Sequence, residues 1–333
     1  MKEFAGKVAG ITGAANGIGE AFALEAARRG MNLALIDIEG DRLQEVKKEC
    51  EALGAPKVVT ITVDVSEYEQ VRMSVERIMA EFERIDVFYS NAGVAGAGTL
   101  GNIPAQDWDW ITSVNFLGMA YYVTEVLPIM KKQGTDAYFL FTVSIGGLQP
   151  GMRIQSAYTA SKHAAMSLAE SVKDYAVNYA PYIGVTAFCP EYVNTTIWDS
   201  EKRRPEKFQK PYDPFYATSD YQDYKANFEG RIKNQGYNPR FVGPRLFRAM
   251  EDEQLYVHPH VHTHQMLRDR FARIEADLRK DEELDAEFKA AEEYKKNSPW
   301  TIGKVLKTPQ TWLIGLGTGL PMMVGAGVIA LLV

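Results

Sequence analysis

The run SAYTASKHAAMSLAESVKDYA, which starts at Ser156, carries Tyr158 and Lys162 four residues apart. The run is expected to be helical, so the two side chains share one face, one turn from each other. A nearby ammonium favours a phenolate and draws the tyrosine pKa down from about 10 towards working pH. A tyrosine so placed can act as general acid or base at a carbinol oxygen. A Tyr–Lys pair at this spacing is common, and by itself it identifies nothing.

The corroboration lies near the N-terminus. In KVAGITGAANGIGEAF, Gly13, Gly17 and Gly19 follow a predicted strand and open a predicted helix. Glycines suit a tight turn and let the backbone approach a pyrophosphate, while the helix N-terminus offers free N–H groups and a favourable dipole. Asp37 ends the next predicted strand, 18 residues after Gly19. A carboxylate there can accept hydrogen bonds from an adenosine ribose. It would also repel a 2′-phosphate, and no Arg or Lys stands at 38 or 39 or within 14–18. NAD is therefore expected over NADP.

These residues need a frame. Strand-like runs occur at 7–12, 32–37, 57–65, 86–91, 137–144 and 183–189, with a further candidate at 255–259. Several are nearly continuously apolar, as strands covered on both faces should be. Helical stretches lie between them, for instance around Leu43, Val46, Cys50 and Leu53 at steps of three and four. Strand and helix in alternation predict an α/β fold, a doubly wound parallel sheet with right-handed crossovers and helices on both faces.

Residues 192–241 break the alternation. They are rich in aromatics, among them Tyr192, Trp198, Phe208, Phe215, Tyr216, Tyr221, Tyr224, Phe228 and Tyr237, and in prolines. A structureless loop of that length is unusual in a compact domain, so short helices are expected, forming a lid over an apolar pocket. The aromatics either line a site for a bulky substrate or fill the core beneath the lid. Residues 262–297 are highly charged, with Leu267, Phe271, Ile274 and Leu278 in one stripe continued by Leu284, Phe288 and Ala291. This is one amphipathic helix, or two with a break near Asp281, either packed on the domain surface or oligomerising. Three segments are expected: the doubly wound α/β domain over 1–260, a helical extension over 261–300 and an apolar tail over 301–333.

The tail from Trp312 to Val333 contains no charged residue. As a helix it would span roughly 33 Å at about 1.5 Å per residue, close to a bilayer core of about 30 Å. Lys304, Lys307 and Trp312 are suitable flanks, and Gly315 and Gly319 form a GxxxG face. Its glycines and Pro321 weaken a helix. It is either a membrane anchor or an arm buried in an oligomer interface or against the lid.

Composition excludes several classes. The chain has 333 residues, 46% apolar and 24% charged, with a net charge of −6, and so lacks the basic footprint of a nucleic-acid binder. Cys50 and Cys189 are far apart and in no CxxC pattern, as expected of reduced, buried thiols. His258, His260, His262 and His264 alternate, but with no nearby cysteine or HExxH helix no metal site is expected. The N-terminus shows no secretory leader, and a cytoplasmic protein is expected, membrane-associated if the tail inserts.

The order of motifs, namely TGAANGIG after a strand, SNAG at 90–93, Asn115, a strand ending at Ser144 and YxxxK at 158–162, resembles the short-chain dehydrogenase/reductase family over about residues 5–260. The resemblance implies a Rossmann-type fold and a division of labour. Tyr158 would transfer the proton, Lys162 would bind the nicotinamide ribose and lower the tyrosine pKa, and Ser144 would steady the substrate oxygen. Asn115 would hold a water linking Lys162 to solvent. Asn91 would tie the sheet to the adenosine side, Asp64 would meet the adenine and Ile18 would line the pyrophosphate site. The implied cofactor set is Gly13, Asn16, Gly17, Ile18, Gly19, Asp37, Asp64, Val65, Asn91, Ala92, Gly93, Tyr158, Lys162, Pro190, Val193 and Thr195. Two departures stand out. Ser90 replaces the usual Asn before NAG, and Glu191 replaces the glycine of the usual Pro-Gly after the sixth strand, its carboxylate facing either solvent or the substrate pocket. The expected function is NAD-dependent hydride transfer between a secondary alcohol or its ketone and the nicotinamide. The substrate would be bulky and apolar: aromatic, steroid or long-chain. The alternative is a catalytically silent NAD-binding sensor or scaffold. A homodimer or homotetramer paired through the Tyr–Lys helix is implied.

Overall fold

The computed structural model describes residues 1–283 apart from Arg153 and residues 210–212, together with Lys289 and Glu293. Seven strands form one parallel sheet: β1 (Val8–Thr12), β2 (Asn32–Asp37), β3 (Val58–Thr62), β4 (Val87–Ser90), β5 (Ala137–Thr142), β6 (Ile183–Phe188) and β7 (Tyr256–Val257), in the order β3-β2-β1-β4-β5-β6-β7. Each predicted run holds a strand, although β3 stops at Thr62 rather than continuing to Val65. The helices are α1 (Gly17–Arg28), α2 (Gly40–Ala52), α3 (Tyr68–Phe82), α4 (Ala105–Thr112), α5 (Gly118–Gln133), α6 (Ser156–Tyr179), α7 (Ser219–Gln235), α8 (Val242–Glu251) and α9 (His264–Glu283).

The near-continuous apolarity of the strands is explained by the two cores. Side chains alternate across a sheet. Phe139 and Phe141 of β5 enter one core with Val75 and Ile78 of α3, Tyr122 and Val126 of α5, and Ala165 and Ala169 of α6. Tyr138 and Leu140 of the same strand enter the other, with Phe22 and Ala26 of α1, Leu43 and Val46 of α2, and Phe247 of α8. Both faces are therefore dry, and every strand position except the ends is apolar or hydrogen-bonded. This is the Rossmann-type doubly wound sheet. The chain runs from β1 outward to β2 and β3, then returns to add β4 on the other side of β1. At such a switch point the loops leave in opposite directions and open a crevice beyond the strand ends.

The segment after β6 holds short 3₁₀ turns at Ile197–Arg203, Glu206–Phe208 and Pro214–Ala217, followed by the 17-residue α7. Thr218 caps α7 by accepting a hydrogen bond from the Tyr221 N–H at 3.3 Å. The segment expected to form a lid thus contains one full helix rather than only short ones.

The chain divides into two compact units, Met1–Leu267 and a second from Arg268. In the second, Phe271, Ile274 and Leu278 lie along α9 and are 57%, 46% and 52% exposed, so this stripe is not covered. The rest of the predicted amphipathic stretch, including Leu284, Phe288 and Ala291, and the whole tail from Trp312 lie outside the described residues. Among the described residues no helix is long and apolar enough to cross a membrane. Cys50 and Cys189 are both buried free thiols, and burial pushes each up to about 12.

Candidate active site

A cavity of about 530 Å³ opens at the C-terminal ends of the strands. The glycine turn forms its floor on one side. Gly13 has φ +66° and Gly17 has φ +58°, conformations that suit glycine. A Cβ on Gly19 would sit 2.1 Å from the Gly13 carbonyl oxygen, so α1 can approach the turn only without a side chain there. The N-cap residue Asn16 does not cap α1 with its side chain, which instead donates to Glu39 Oε2 at 2.7 Å. The start of α1 thus lacks a side-chain cap from Asn16, and Gly17 and Ile18 lie on the cavity wall, a placement suited to binding phosphate.

Asp37 lies beside this turn. Its Oδ2 accepts from the Ala15 N–H at 3.0 Å and its Oδ1 from the Glu39 N–H at 3.1 Å. Burial raises its pKa, opposed by these two backbone donors. Asp64 and Val65 line the next part of the wall. Asp64 accepts from both the backbone N–H and the hydroxyl of Ser66, at 2.9 and 2.7 Å, which fixes the turn after β3.

Asn91 clasps three strands. Its side-chain NH₂ donates to Thr12 O at 3.0 Å and Gly13 O at 3.2 Å, and its Oδ1 accepts from the Thr142 hydroxyl at 2.8 Å. Ser90, the unusual residue before it, is buried at the end of β4. Asn115 sits in a π turn, Ser113–Leu117, between α4 and α5. Such turns insert a residue into the helical ladder and recur at functional sites. The Asn115 amide is fully engaged. Its Oδ1 accepts from the Val94 N–H at 2.8 Å, while Nδ2 donates to Val94 O at 2.9 Å and Ser161 Oγ at 3.1 Å.

Ser144, Tyr158 and Lys162 gather at the other part of the cavity. Ser144 follows β5 with φ 153° and ψ 162°, a conformation that few residues other than glycine adopt. Its hydroxyl oxygen accepts from the Gly146 N–H at 3.0 Å, and the hydroxyl donates to Pro190 O at 3.4 Å. Tyr158 and Lys162 lie one turn apart on α6, as their spacing predicts. The Lys162 ammonium donates to Thr142 O at 2.9 Å and lies 5.8 Å from the Tyr158 ring centroid. The expected lowering of the Tyr158 pKa by Lys162 is not what dominates here. Burial raises it, and the hydrogen bond with Ser144 opposes the rise. Burial also pulls Lys162 down to about 7. Both shifts have one cause: a dry site disfavours whichever form is charged.

The cavity wall brings together Gly13, Asn16, Gly17, Ile18, Asp37, Asp64, Val65, Asn91, Ala92, Gly93, Ser144, Tyr158, Lys162, Pro190, Val193 and Thr195. Gly19 and Asn115 stand behind it: Gly19 against the Gly13 carbonyl, and Asn115 beside Gly93, where an added Cβ would meet both Asn115 Oδ1 and Lys162 Nζ. Glu191 also lines the wall, its carboxylate 2.6 Å from His262 Nε2. It has no left-handed backbone, so the position tolerates a side chain.

Of the lid aromatics, Tyr192 and Phe228 line the cavity. Others pack elsewhere. Phe215, Tyr216 and Tyr221 form a mutual cluster, and the Tyr216 hydroxyl donates to Asp107 Oδ1 at 2.5 Å. Asp107 also pairs with Arg204 at 2.7 Å, both side chains being about as buried as the core.

Arg203 was not legible as a site residue. It comes from the lid, lines the cavity and donates through Nε to Glu39 Oε2 and through Nη2 to Thr196 Oγ1. An arginine thus does stand near the acidic end of the cavity, supplied from 166 positions after Asp37 and already paired with a carboxylate. The only sequence signal was a run of basic residues, Lys202 to Arg204, inside an aromatic segment. The histidines engage backbone, a threonine and Glu191, and no group of three His, Cys, Asp or Glu among the described residues could hold a metal.

Comparison with known proteins agrees with this geometry. The short chain dehydrogenase family pattern matches residues 7–206. The "CLA biosynthesis dehydrogenase/reductase" of Lactiplantibacillus plantarum is 35% identical over 280 residues, covering 83% of this chain and 96% of that protein. The levodione reductase of Leifsonia aquatica is 31% identical over 226 residues, covering 66% of this chain and 83% of its own. Among solved structures, a short-chain dehydrogenase/reductase of Burkholderia phymatum in complex with NAD is 32% identical with a TM-score of 0.79, covering 83% of this chain and 97% of that one. With the glycine turn, the π turn at Asn115 and the Ser144–Tyr158–Lys162 group converging on one cavity, the chain belongs to the short-chain dehydrogenase/reductase family of oxidoreductases.

Proposed function

We propose that this protein is an NAD-dependent oxidoreductase that interconverts a bulky, apolar secondary alcohol and its ketone, with Tyr158 as the proton-transferring group. One observation carries the reading: a single cavity holds a ribose-reading acid, Asp37, beside an anion-binding turn, and holds Ser144, Tyr158 and Lys162 as well. The residues present fit a dinucleotide. The turn leaves no room for a Cβ at Gly19, Gly17 and Ile18 at the start of α1 line the cavity, and Asp37 keeps lone pairs for ribose hydroxyls. The NAD complex of the Burkholderia phymatum relative supports the choice of cofactor. When bound, the nicotinamide would accept or supply the hydride.

This chain's residues do the rest. Gly13, Asn16, Gly17 and Ile18 would hold the pyrophosphate, Asp37 the adenosine ribose and Lys162 the second ribose. Ser144 and Tyr158 would hold the substrate oxygen between them. Burial keeps Tyr158 as the neutral phenol, the form that gives a proton to a ketone oxygen. For alcohol oxidation the phenolate is needed, and the Ser144 hydrogen bond and the Lys162 charge are the groups that favour it. Met152, Phe228, Ile232 and Met266 give the substrate end an apolar wall, and Gln149 and Gln155 give it polar points. Two further parts belong to this proposal. One is pairing of chains through α6, on which Val177 and Tyr179 stand 62% and 64% exposed. The other is membrane contact through 312–333, which rests on the sequence alone.

The test is reduced-cofactor absorbance with NAD and a panel of aromatic, steroid and aliphatic secondary alcohols. Tyr158→Phe should lower kcat by about 10²–10⁴-fold, with cofactor affinity little changed. Near-wild-type turnover of that variant would overturn the assignment. Light scattering in solution would test the pairing. Fractionation of the chain with and without the tail would test the membrane contact.

A further inference from the structure

The alternating histidines that follow β7 are not used by the proposed reaction, and they do different work. His258 Nδ1 lies 2.7 Å from Cys189 O and its Nε2 lies 2.7 Å from the Thr263 hydroxyl. His262 is 60% exposed and meets the Glu191 carboxylate. His260 is 1% exposed, and both of its ring nitrogens meet main-chain groups of the segment after β6. The Glu191 N–H donates to Nδ1 at 3.1 Å, and Nε2 lies 3.2 Å from Tyr192 O. A peptide N–H can only donate and a carbonyl can only accept. Nδ1 must therefore be bare and Nε2 must carry the proton.

The segment so held is the one that lines the cavity. Pro190 O accepts from the Ile145 N–H at 2.8 Å and from the Ser144 hydroxyl at 3.4 Å. Val193 and Thr195 form cavity wall, and Thr195 packs so closely on Gly17 that a Cβ there would lie 2.6 Å from its methyl. Tyr192 O also accepts from the Tyr237 N–H at 2.9 Å, and the Tyr237 ring lies over the His260 ring at 4.2 Å between centroids. Glu191 stands where the family has glycine, and its N–H is the one that His260 receives.

We infer that His260 is a positioning residue for the cofactor: in its Nε2-protonated neutral form it brackets Glu191 and Tyr192, holding Pro190–Thr195 against the cavity, and a second proton on the ring releases that hold. The inference rests on the reading of this cavity as the NAD site. Protonation would set an Nδ1–H against the Glu191 N–H, donor against donor. The groups that face the ring are Glu191 and Tyr192 from the segment after β6, Tyr237 from the turn after α7, and His258 and His262 from its own segment. Burial comes first among the influences on it and favours the neutral ring, while the Glu191 charge and the Tyr192 carbonyl favour the proton.

The experiment is NADH binding by fluorescence on the full chain between about pH 8 and about pH 5, for wild type, His260→Ala and His260→Asn, with hydrogen exchange of residues 190–195 measured in the absence of cofactor. Asn can offer an acceptor near the Nδ1 position and does not titrate. His260→Ala should weaken NADH binding by about tenfold at pH 8 and speed exchange at Glu191. His260→Asn should retain most of the affinity and lose the part of the acid limb that His260 contributes, leaving any limb due to Asp37. Imidazole ¹⁵N shifts should show the Nε2–H tautomer in wild type. The inference is overturned if His260→Ala binds NADH as wild type does, if His260→Asn keeps the full acid limb, or if the ring carries its proton on Nδ1. Absence of NADH binding by wild type at pH 8 would instead overturn the functional reading, and exchange at Glu191 would still report on the His260 contact.

Discussion

Arg204→Met should loosen the segment 197–217 and disturb the cavity, although Arg204 does not line it. Its guanidinium pairs with Asp107 at 2.7 Å and with Glu201 at 2.7 Å, and lies 4.0 Å from the Trp110 ring centroid. The side chains of Arg204 and Asp107 are 5% and 2% exposed. Removing the arginine leaves the Asp107 carboxylate buried, with Tyr216 still donating to it. Breaking a buried pair from one side costs about 3–5 kcal/mol, because the remaining charge loses its counter-ion. For a domain of this size each kcal/mol corresponds to about 2–4 °C, so a global effect is a fall in Tm of about 6–20 °C. If the lid opens locally, Tm moves less, but the neighbours Arg203 and Pro205, which do line the cavity, shift with it. The assay is a thermal denaturation cycle of Arg204→Met, Asp107→Leu and the double variant, with limited proteolysis across 197–217. The double variant should recover at least half of the single-variant loss, since no charge is left buried. Single variants costing less than about 1 kcal/mol, or a double variant as poor as the sum, would refute the reasoning.

Two further outcomes are expected. Asp37→Ser should raise kcat/KM with NADP, and adding Glu39→Gln should raise it further by freeing Arg203 for the 2′-phosphate; steady-state kinetics with both cofactors decide this, and no additional gain from Glu39→Gln would exclude the role of Arg203. Lys162 has a folded pKa of about 7, below its unfolded value, so between the two the unfolded chain binds the extra proton. Stability without cofactor should therefore gain from this group as pH rises from about 7 to about 10, by at most about 1.4 kcal/mol per pH unit, and Lys162→Met should remove that slope in a denaturant-melt series.

The inner strands were legible because they are covered on both faces, so burial is written as continuous apolarity, whereas the edge strands β3 and β7 are partly exposed. The glycine turn, Asp37, Ser144 and the Tyr158–Lys162 pair, which the structure brings to one cavity, were legible as motifs because each is defined by residue type and local spacing. The contacts of Arg203 with Glu39 and of Arg204 with Asp107 join residues 164 and 97 positions apart, and no local period records such pairs. Helix α7 was readable in part: Tyr221, Tyr224, Phe228 and Ile232 recur at steps of three and four, behind the cap at Thr218. The aromatics were a poorer guide, since an aromatic that lines a cavity and one that packs against another ring look alike in sequence. The Tyr158 pKa went the other way from expectation because spacing reveals a charged neighbour but not how dry the site is.

The cavity is assembled from both halves of the chain. Its floor is complete by Tyr158 and Lys162, yet Pro190, Thr195, Arg203, Phe228, Thr263 and Met266 close its other wall. A chain emerging from the ribosome therefore makes the floor of this cavity before its other wall, which starts at Pro190 and is complete only at Met266. A ligand of the whole cavity can stabilise the chain fully only once the segments up to Met266 are in place. Ligand should therefore rescue chains with lesions in residues 190–266 less well than chains with lesions in parts of the domain that do not line the cavity.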